Sequence, residues 1–200
     1  MSIITAINDK YHRQHISGNF TFAKTIAMTN TRKINTLQDY LNYEIQKLHD
    51  GEAELKIALT KWILKTTSLS LKTTLQHYAE QIKRHTEEID VFFEDQQIDH
   101  PWFLDNKIMN ALIEAIDESV LACTDHHTAD VALLAGIQLV NHYKISAYGT
   151  IGALAEMLNK NKTAILFRNF EANEKLTDME LSTLAMKRIN REALSTIEMK

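Results

Sequence analysis

The longest stretches of this sequence repeat an apolar residue every three or four positions, and almost nothing interrupts them. The 200 residues include one proline, Pro101, and five glycines. The turn residues from which β-hairpins and α/β loops are built are therefore almost absent. The pattern predicts an all-α chain.

Four long helices and one short helix are predicted from these apolar stripes. The first begins near Thr36, the predicted N-cap, which Asp39 follows three residues later. Thr124 or Thr128 is predicted to cap the third long helix. The other predicted elements are a second long helix that ends before "EDQQIDHPWFLDN", a short helix from about Asn106 to Cys123, a third long helix to about Asn159, and a fourth from Thr163 nearly to the C-terminus.

The connections between the helices predict a bundle with a crossover. "NKNKT" is short, so the third and fourth long helices should be antiparallel neighbours, whereas the middle connection is long and carries the short helix. We expect the long helices to run up-down-up-down in a bundle domain at residues 34–198. Residues 1–33 are predicted to be an N-terminal arm, because they lack a stable helical period although Phe20, Phe22, Ile26 and Met28 favour burial.

Composition limits the possible partners and location. The net charge is −4 and the pI is about 6.1, and no Lys/Arg cluster is long enough to form a nucleic-acid groove. No signal peptide and no run approaching ~20 apolar residues is present, so we expect a cytoplasmic protein without a membrane partner. The single cysteine, Cys123, suits a reducing compartment. No nucleophile triad or glycine-rich phosphate loop identifies a small-molecule substrate.

Each long helix interrupts its apolar stripe with polar residues near its middle. These residues are Glu52 in the first helix, Glu80 and Lys83 in the second, Asn141 and Lys144 in the third, and Glu174 in the fourth. Because the middles of packed helices lie at one height, we expect these side chains to converge. Buried carboxylates are costly unless they are paired, hydrogen-bonded or bound to metal, so convergence implies a shared cation.

Iron or manganese is one possible cation, since carboxylate and imidazole ligands suit both metals. In ferritin-like di-metal sites two helices give one Glu each and the other two give Glu-x-x-His. This chain has Glu52, but Lys83 stands three residues after Glu80 and Thr177 three residues after Glu174, where histidine would be needed. The metal-binding pattern is therefore incomplete.

Over about residues 35–190 the chain resembles the YciE/YciF-type proteins, stress-associated bacterial proteins with a ferritin-like domain of unknown function. The most specific motifs are "HYKISAYGTIGALAEML" and "NEKLTDMELSTLA", and "GEAELKIALTKW" and "HYAEQIKRHTEEID" agree more loosely. The resemblance implies a ferritin-like four-helix bundle with a long central crossover carrying a short extra helix. It also implies a homodimer.

The resemblance implies metal-ligand positions that this chain matches only in part. The matching residues are Glu52, Glu80, His142, Glu174 and Asp178. The family usually has His where this chain has Lys83, and it has Glu-His-Tyr-Glu where this chain has Asn141-His142-Tyr143-Lys144. Three potential ligands are therefore missing, and lysine replaces two of them.

We hypothesise that Lys83 and Lys144 replace the charge of the metal. The predicted buried charge cluster comprises Glu52, Glu80, Lys83, Asn141, Lys144, Tyr148, Glu174 and Asp178. A divalent metal beside two lysines would be repelled by several kcal/mol, so the sequence favours a non-catalytic stress-response protein without a cofactor. The alternative is an iron- or manganese-dependent oxidase or peroxide scavenger with Glu52, Glu80, His142 and Glu174 as ligands. A simpler alternative is that both lysines extend from the core edge into water.

Four glycines lie inside predicted helices, where each costs about 1 kcal/mol relative to alanine. They are Gly51, Gly136, Gly149 and Gly152. Glycine lets another backbone or side chain approach closely. The sequence leaves two explanations open: packing between helices of one chain, which we favour, and a dimer contact along the third long helix.

Overall fold

The computed structural model describes residues 33–98 and 104–198, and this part of the chain is all-α, as predicted. Residues 1–32, which make up nearly all of the predicted arm, and residues 99–103, which include Pro101, lie outside the described ranges. The helices are α1 Leu37–Lys65, α2 Leu69–Asp95, α3 Lys107–Ala122, α4 His126–Met157, α5 Asn161–Leu184 and α6 Asn190–Glu198. A π-helical turn, Ala185–Ile189, joins α5 to α6.

The helix starts follow from local capping chemistry. Thr36 caps α1 as predicted: its Oγ1 accepts a hydrogen bond from Asp39 N at 3.0 Å, and the Asp39 carboxylate accepts one from Thr36 N at 3.0 Å. The predicted cap of α4 at Thr124 or Thr128 is wrong. Asp125 is the cap, because its carboxylate accepts a hydrogen bond from Thr128 N at 2.8 Å and so satisfies a free amide of the first turn.

The four long helices α1, α2, α4 and α5 form the predicted ferritin-like bundle with a crossover. Asp130, in the first turns of α4, accepts hydrogen bonds from Thr66 at the end of α1 and from Ser68 at the start of α2. At the other end, Phe92 of α2 contacts Phe167 of α5. Therefore α2 runs parallel to α4, and both run antiparallel to α1 and α5.

The predicted up-down-up-down order is thus wrong, and the bundle runs up-down-down-up. The physical reason is the length of the connection at residues 96–125, which contains α3 and returns the chain to the end of the bundle at which α2 began. α3 packs against α1 and α4 on the way. The middle residues of the four long helices still lie at one height, since that does not depend on helix direction.

Two apolar clusters fill the bundle, one on each side of that middle height. The first contains the second halves of α1 and α5, the first halves of α2 and α4, and α3, with Trp62, Leu75 and Leu134 among its buried residues. The second contains the opposite halves of the same long helices, with Leu41 and Phe167. Burying one such side chain contributes about 1.5–3 kcal/mol, so these clusters hold the helices around a polar layer between them.

None of the helices in residues 33–98 and 104–198 combines the length and the apolar character that crossing a bilayer requires.

Candidate functional site

The polar layer between the two apolar clusters is centred on Lys144 of α4. Its Nζ lies 2.7 Å from Glu174 Oε1 on α5 and 2.9 Å from Glu52 Oε1 on α1, and all three side chains are 0% exposed. The aromatic rings of Tyr78 and Tyr148 lie 4.8 and 5.8 Å from the same nitrogen. One ammonium group therefore bridges two carboxylates, with two ring faces stabilising its charge.

Neutral side chains complete the shell of the two carboxylates. Asn141 Nδ2 donates to Glu174 Oε2 at 2.7 Å, and Gln81 Nε2 donates to Glu174 Oε1 at 3.0 Å. The Tyr148 hydroxyl donates to Glu52 Oε1 at 2.5 Å. The other oxygen of Glu52, Oε2, is buried and accepts no hydrogen bond from the described residues. Glu174 is thus fully bonded, and Glu52 is bonded on one side.

His85 of α2 closes the layer between α2 and α5. Its Nδ1 lies 3.2 Å from the Tyr148 hydroxyl and 3.5 Å from Glu174 Oε1, and its Nε2 lies 3.4 Å from Asn173 Nδ2. The Tyr148 proton is donated to Glu52, so the Tyr148 oxygen can accept from a protonated Nδ1. The network therefore assigns the hydrogen to Nδ1 of a neutral ring, with Nε2 as the acceptor.

The charge states follow from burial and from these neighbours. Burial, Lys144 and Arg84 lower the pKa of His85 to about 3, so its ring is neutral at neutral pH. Burial would lower the pKa of Lys144, but the charges of Glu174 and Glu52 outweigh it and raise this pKa, so Lys144 stays protonated. Burial raises the pKa of Glu52, although Lys144 opposes the shift. With both carboxylates ionised, the layer carries a charge of −1.

In ferritin-like bundles the metal site lies at this middle level of the core, and three candidate ligand atoms are present here. Atoms of Glu52, His85 and Glu174 all lie within 4.8 Å of one another, and their oxygen and nitrogen donors suit iron or manganese. However, the Lys144 ammonium contacts both carboxylates. A divalent ion 4 Å from it would be repelled by about 8 kcal/mol at an effective dielectric constant of 20. The residues do not fit a metal while Lys144 is protonated.

The structure brings together five of the eight residues of the predicted buried cluster. They are Glu52, Asn141, Lys144, Tyr148 and Glu174, each 0% exposed. The placement of Glu80 and Lys83 in the buried cluster is wrong, since both side chains are exposed. α2 turns Tyr78, Ile82 and His85 toward the core, which leaves Glu80 and Lys83 on its solvent side.

His142 and Asp178 also differ from their predicted surroundings. The His142 side chain is 62% exposed, and its Nε2 lies 3.2 Å from Asp178 Oδ1. These two residues therefore form a pair between α4 and α5 near the surface and do not contact the buried carboxylates. Of the four predicted metal ligands, only Glu52 and Glu174 lie in the layer.

Sequence reasoning missed His85 and Gln81, although a signal for His85 exists. The apolar stripe of α2 passes through Tyr78, Ile82 and Ile89, and it has a gap at the position that His85 occupies. A histidine that fills a gap in a buried stripe points into the core. Gln81 gives no comparable signal, because it lies beside the stripe and is only partly buried.

Fold and layer together define a ferritin-like four-helix bundle protein with a buried lysine–carboxylate layer. The chain belongs to the family described as a domain of unknown function (DUF892), which its residues 36–194 match. It is 29% identical over 160 residues to protein YciF of Escherichia coli K12, covering 80% of this chain and 96% of YciF. The predicted YciE/YciF-type membership is confirmed.

Two solved structures share the fold. The crystal structure of the E. coli stress protein YciF superposes with a TM-score of 0.73 at 30% identity, over 78% of this chain and 99% of that one. YcfI of Rhodopseudomonas palustris, proposed to be a structural protein, superposes with a TM-score of 0.72 at 27% identity, over 76% of this chain and 97% of that one. The similarity therefore spans nearly the whole of each relative.

Proposed function

We propose that this chain is a stress-response protein that acts without catalytic turnover, and that Lys144 replaces the charge of a metal in its bundle. The observation that carries the proposal is the contact of one buried ammonium with both Glu52 and Glu174, at 2.9 and 2.7 Å. The stress role rests on the similarity to the E. coli stress protein YciF. The other predicted lysine, Lys83, takes no part, because it is exposed.

The burial of the layer supports an absence of turnover. A catalytic metal centre keeps one coordination position open to substrate, and a substrate site is a cleft that the substrate can enter. Here the charged groups of Glu52, Lys144 and Glu174 are 0% exposed and are bonded to one another. A layer of this kind fixes the register of four helices, and its carboxylates are not exposed to a substrate in solution.

Metal loading of matched variants tests the proposal. The untagged wild-type protein and the variants Lys144→Glu and Lys83→Glu are incubated with Fe(II) and Mn(II), desalted and measured by elemental analysis. We expect near-zero metal in the wild type and in Lys83→Glu. We expect Lys144→Glu to retain metal, because it removes the repelling charge and adds the carboxylate that the family resemblance implies there. One or two equivalents in the wild type, lost in Glu52→Ala, would overturn the proposal.

The second candidate function is an iron- or manganese-dependent oxidase or peroxide scavenger. Two observations favour it: Glu52 has a buried oxygen, Oε2, that accepts no hydrogen bond from the described residues, and one ligand atom from each of Glu52, His85 and Glu174 lies within 4.8 Å of the other two. It requires Lys144 to lose its proton or leave the carboxylates. If the wild type retains metal, consumption of hydrogen peroxide by the loaded protein, abolished in His85→Ala, would support this function.

We further propose a cytoplasmic homodimer that binds no nucleic acid. This part rests on the net charge of −4 without a long Lys/Arg cluster, on the single cysteine and on the family resemblance.

A further inference from the structure

The side of the bundle between α2 and α5 is closed, at the height of the buried layer, by polar side chains that water can reach. Gln81 of α2 donates from Nε2 to Glu174 Oε1 at 3.0 Å, and its Oε1 accepts from Thr177 Oγ1 at 3.2 Å. One turn further along α2, His85 Nε2 lies 3.4 Å from Nδ2 of Asn173. Asn173 is exposed and Gln81 is half-buried, so these two side chains lie between the layer and solvent. We call Gln81 and Asn173 the latch.

On each side of the latch, α2 and α5 together line a cavity. The first cavity, of about 550 Å³, has Phe92 of α2 and Leu166 of α5 among its lining residues. The second, of about 610 Å³, lies toward the other end of the bundle and includes Thr74 of α2 and Leu184 of α5. Exposed charged residues line both cavities, so both open to solvent. Water therefore reaches the contact between α2 and α5 from both sides of the latch.

The contact between α2 and α5 is also the smallest between neighbouring long helices. α2 packs more extensively against α1 than against α5, and α5 packs most extensively against α4. Under the latch, the ring of His85 packs against that of Phe170, with centroids 4.2 Å apart, and nearer the end of α2 the ring of Phe92 meets that of Phe167. α2 can therefore stay packed on α1 while its contact with α5 opens.

We propose that α2 and α5 separate locally at the latch while the rest of the bundle stays folded, and that this opening admits water and small solutes to the buried layer. Hydrogen bonds that water can reach contribute little net free energy, because water replaces them when they break. Regions with few buried apolar contacts therefore open at a lower free energy than the whole domain. The latch sets how often this happens, since Gln81 bonds to Glu174 and Asn173 contacts His85. The proposal concerns access to the layer and does not depend on the proposed function.

Labelling of single cysteines by iodoacetamide tests the proposal in the full-length protein with Cys123→Ser. Thr177→Cys replaces a residue that is 7% exposed and contacts the latch, and Thr86→Cys replaces one on α2 that is 8% exposed. Thr86 is rotated by about 100° from His85 and away from α5. We expect Thr177→Cys to be labelled faster than Thr86→Cys. Gln81→Met should speed the labelling of Thr177→Cys about tenfold, the effect of one hydrogen bond to a charged group, and leave that of Thr86→Cys unchanged.

Gln76→Met is the matched control, because Gln76 is an exposed glutamine on the same helix, and it should leave both labelling rates unchanged. Asn173→Ala decides the question if Gln81→Met does not fold by circular dichroism. Its side chain is exposed, so the fold does not depend on it, and its loss should speed the labelling of Thr177→Cys about threefold. Equal labelling rates for the two cysteines would overturn the proposal, since they would mean that only global unfolding exposes the layer. Equal acceleration of both cysteines by the latch variants would overturn it as well.

Discussion

At the scale of single residues, Lys144 decides whether the centre of this bundle is stable. Two carboxylates without a cation would both be buried in an apolar surrounding, which costs several kcal/mol for each charge. We expect Lys144→Met to lower the free energy of unfolding by about 3–5 kcal/mol, measured by urea denaturation. Adding Glu52→Gln to this variant should restore part of the loss, because it removes one unpaired charge.

Lys83→Met is the matched control for that experiment. Its side chain is exposed on α2, and a surface substitution away from packed groups usually changes stability by less than about 0.5 kcal/mol. Equal losses in Lys144→Met and Lys83→Met would contradict the assignment of the buried charge to Lys144 alone.

His85 makes the stability of the bundle depend on pH. Its pKa is about 3 in the folded protein, whereas the ordinary pKa of a solvent-exposed histidine is 6.5, so between these values the unfolded chain binds a proton that the folded chain does not. His85 therefore does not reduce the free energy of unfolding above about pH 6.5. As the pH falls below that value, His85 lowers the free energy of unfolding by up to about 1.4 kcal/mol per pH unit. The raised pKa of Glu52 acts in the opposite direction, since it favours the folded state at low pH.

Because His85 and Glu52 both affect how stability depends on pH, a variant that lacks the histidine is needed to measure the contribution of His85. The pH dependence of urea unfolding in His85→Gln should be flatter than that of the wild type between about pH 6.5 and 4.5. His77→Gln removes an exposed histidine on the solvent side of the same helix, α2, and is the matched control, which we expect to keep the wild-type dependence. A wild-type slope in His85→Gln would show that other groups produce the acid sensitivity.

The sequence allowed part of this layer to be predicted, for a physical reason. Glu52, Lys144 and Glu174 each stand directly on an apolar stripe, so helical spacing alone places them in the core. On α2 several polar residues lie beside the stripe. Each residue of a helix is rotated by about 100° from the one before it, so an error of one position changes which of these side chains is predicted to face inward. The periodicity of the stripe did not determine the rotation of α2 to within one residue. It predicted that Glu80 and Lys83 face the polar layer, whereas in the structure His85 and Gln81 face it.

At the scale of elements, glycines determine how the crossover helix docks. A Cβ on Gly51 of α1 would lie 2.4 Å from Asn106 Nδ2, and one on Gly136 of α4 would lie 2.3 Å from Ile116 Cγ1 of α3. Asn106 caps α3 and also donates to Lys47 O at 2.9 Å. The favoured explanation from the sequence, packing within one chain, thus accounts for these two glycines, but periodicity could not identify α3 as their partner.

Gly149 and Gly152 fit the same explanation. Cβ atoms built on them would meet side chains of Glu171 and Arg168 on α5 at 3.2 and 3.0 Å, so this face of α4 is occupied by its own neighbour. The α4–α5 contact is therefore close because α4 supplies glycine where α5 supplies long charged side chains.

Gly51→Ala should destabilise the protein although alanine favours helix by about 1 kcal/mol. The added methyl group would displace the buried Asn106 amide, and we expect a net loss of about 1–3 kcal/mol in urea unfolding. Gly149→Ala is the control, since the three atoms nearest to its Cβ belong to the carboxylate end of the flexible Glu171 side chain, and it should be neutral or slightly stabilising. A stabilised Gly51→Ala would mean that α3 can dock elsewhere on α1.

At the scale of the whole molecule, the direction of the chain was the part that the sequence could not supply. Stripe periodicity and caps predicted where helices lie, and the long connection predicted a crossover. Whether α4 starts beside the beginning or the end of α2 depends on contacts such as those of Asp130 with Thr66 and Ser68, residues more than 60 positions apart. Such pairs carry no signal in a single sequence.

The homodimer that the family resemblance implies leads to the last prediction. The segment before α1 contains Phe20, Phe22, Ile26 and Met28, whose apolar side chains favour burial against a partner surface. Deleting residues 1–33 leaves the capping box of Thr36 and Asp39 intact, so α1 should still form. We expect the truncated protein to keep its helical circular dichroism and to self-associate at least about tenfold more weakly, since one aromatic anchor is commonly worth more than about 1.4 kcal/mol.

Light scattering across micromolar concentrations measures this effect directly. Phe20→Ser with Phe22→Ser in the full-length chain separates the apolar contribution from the loss of chain length, and it should reproduce most of the weakening. If the truncated and full-length proteins have the same mass at every concentration, the arm does not contribute to self-association. Any dimer would then be held by the bundle domain alone, and the exposed leucines of α4 and α5, Leu139 and Leu176, would be the next residues to substitute.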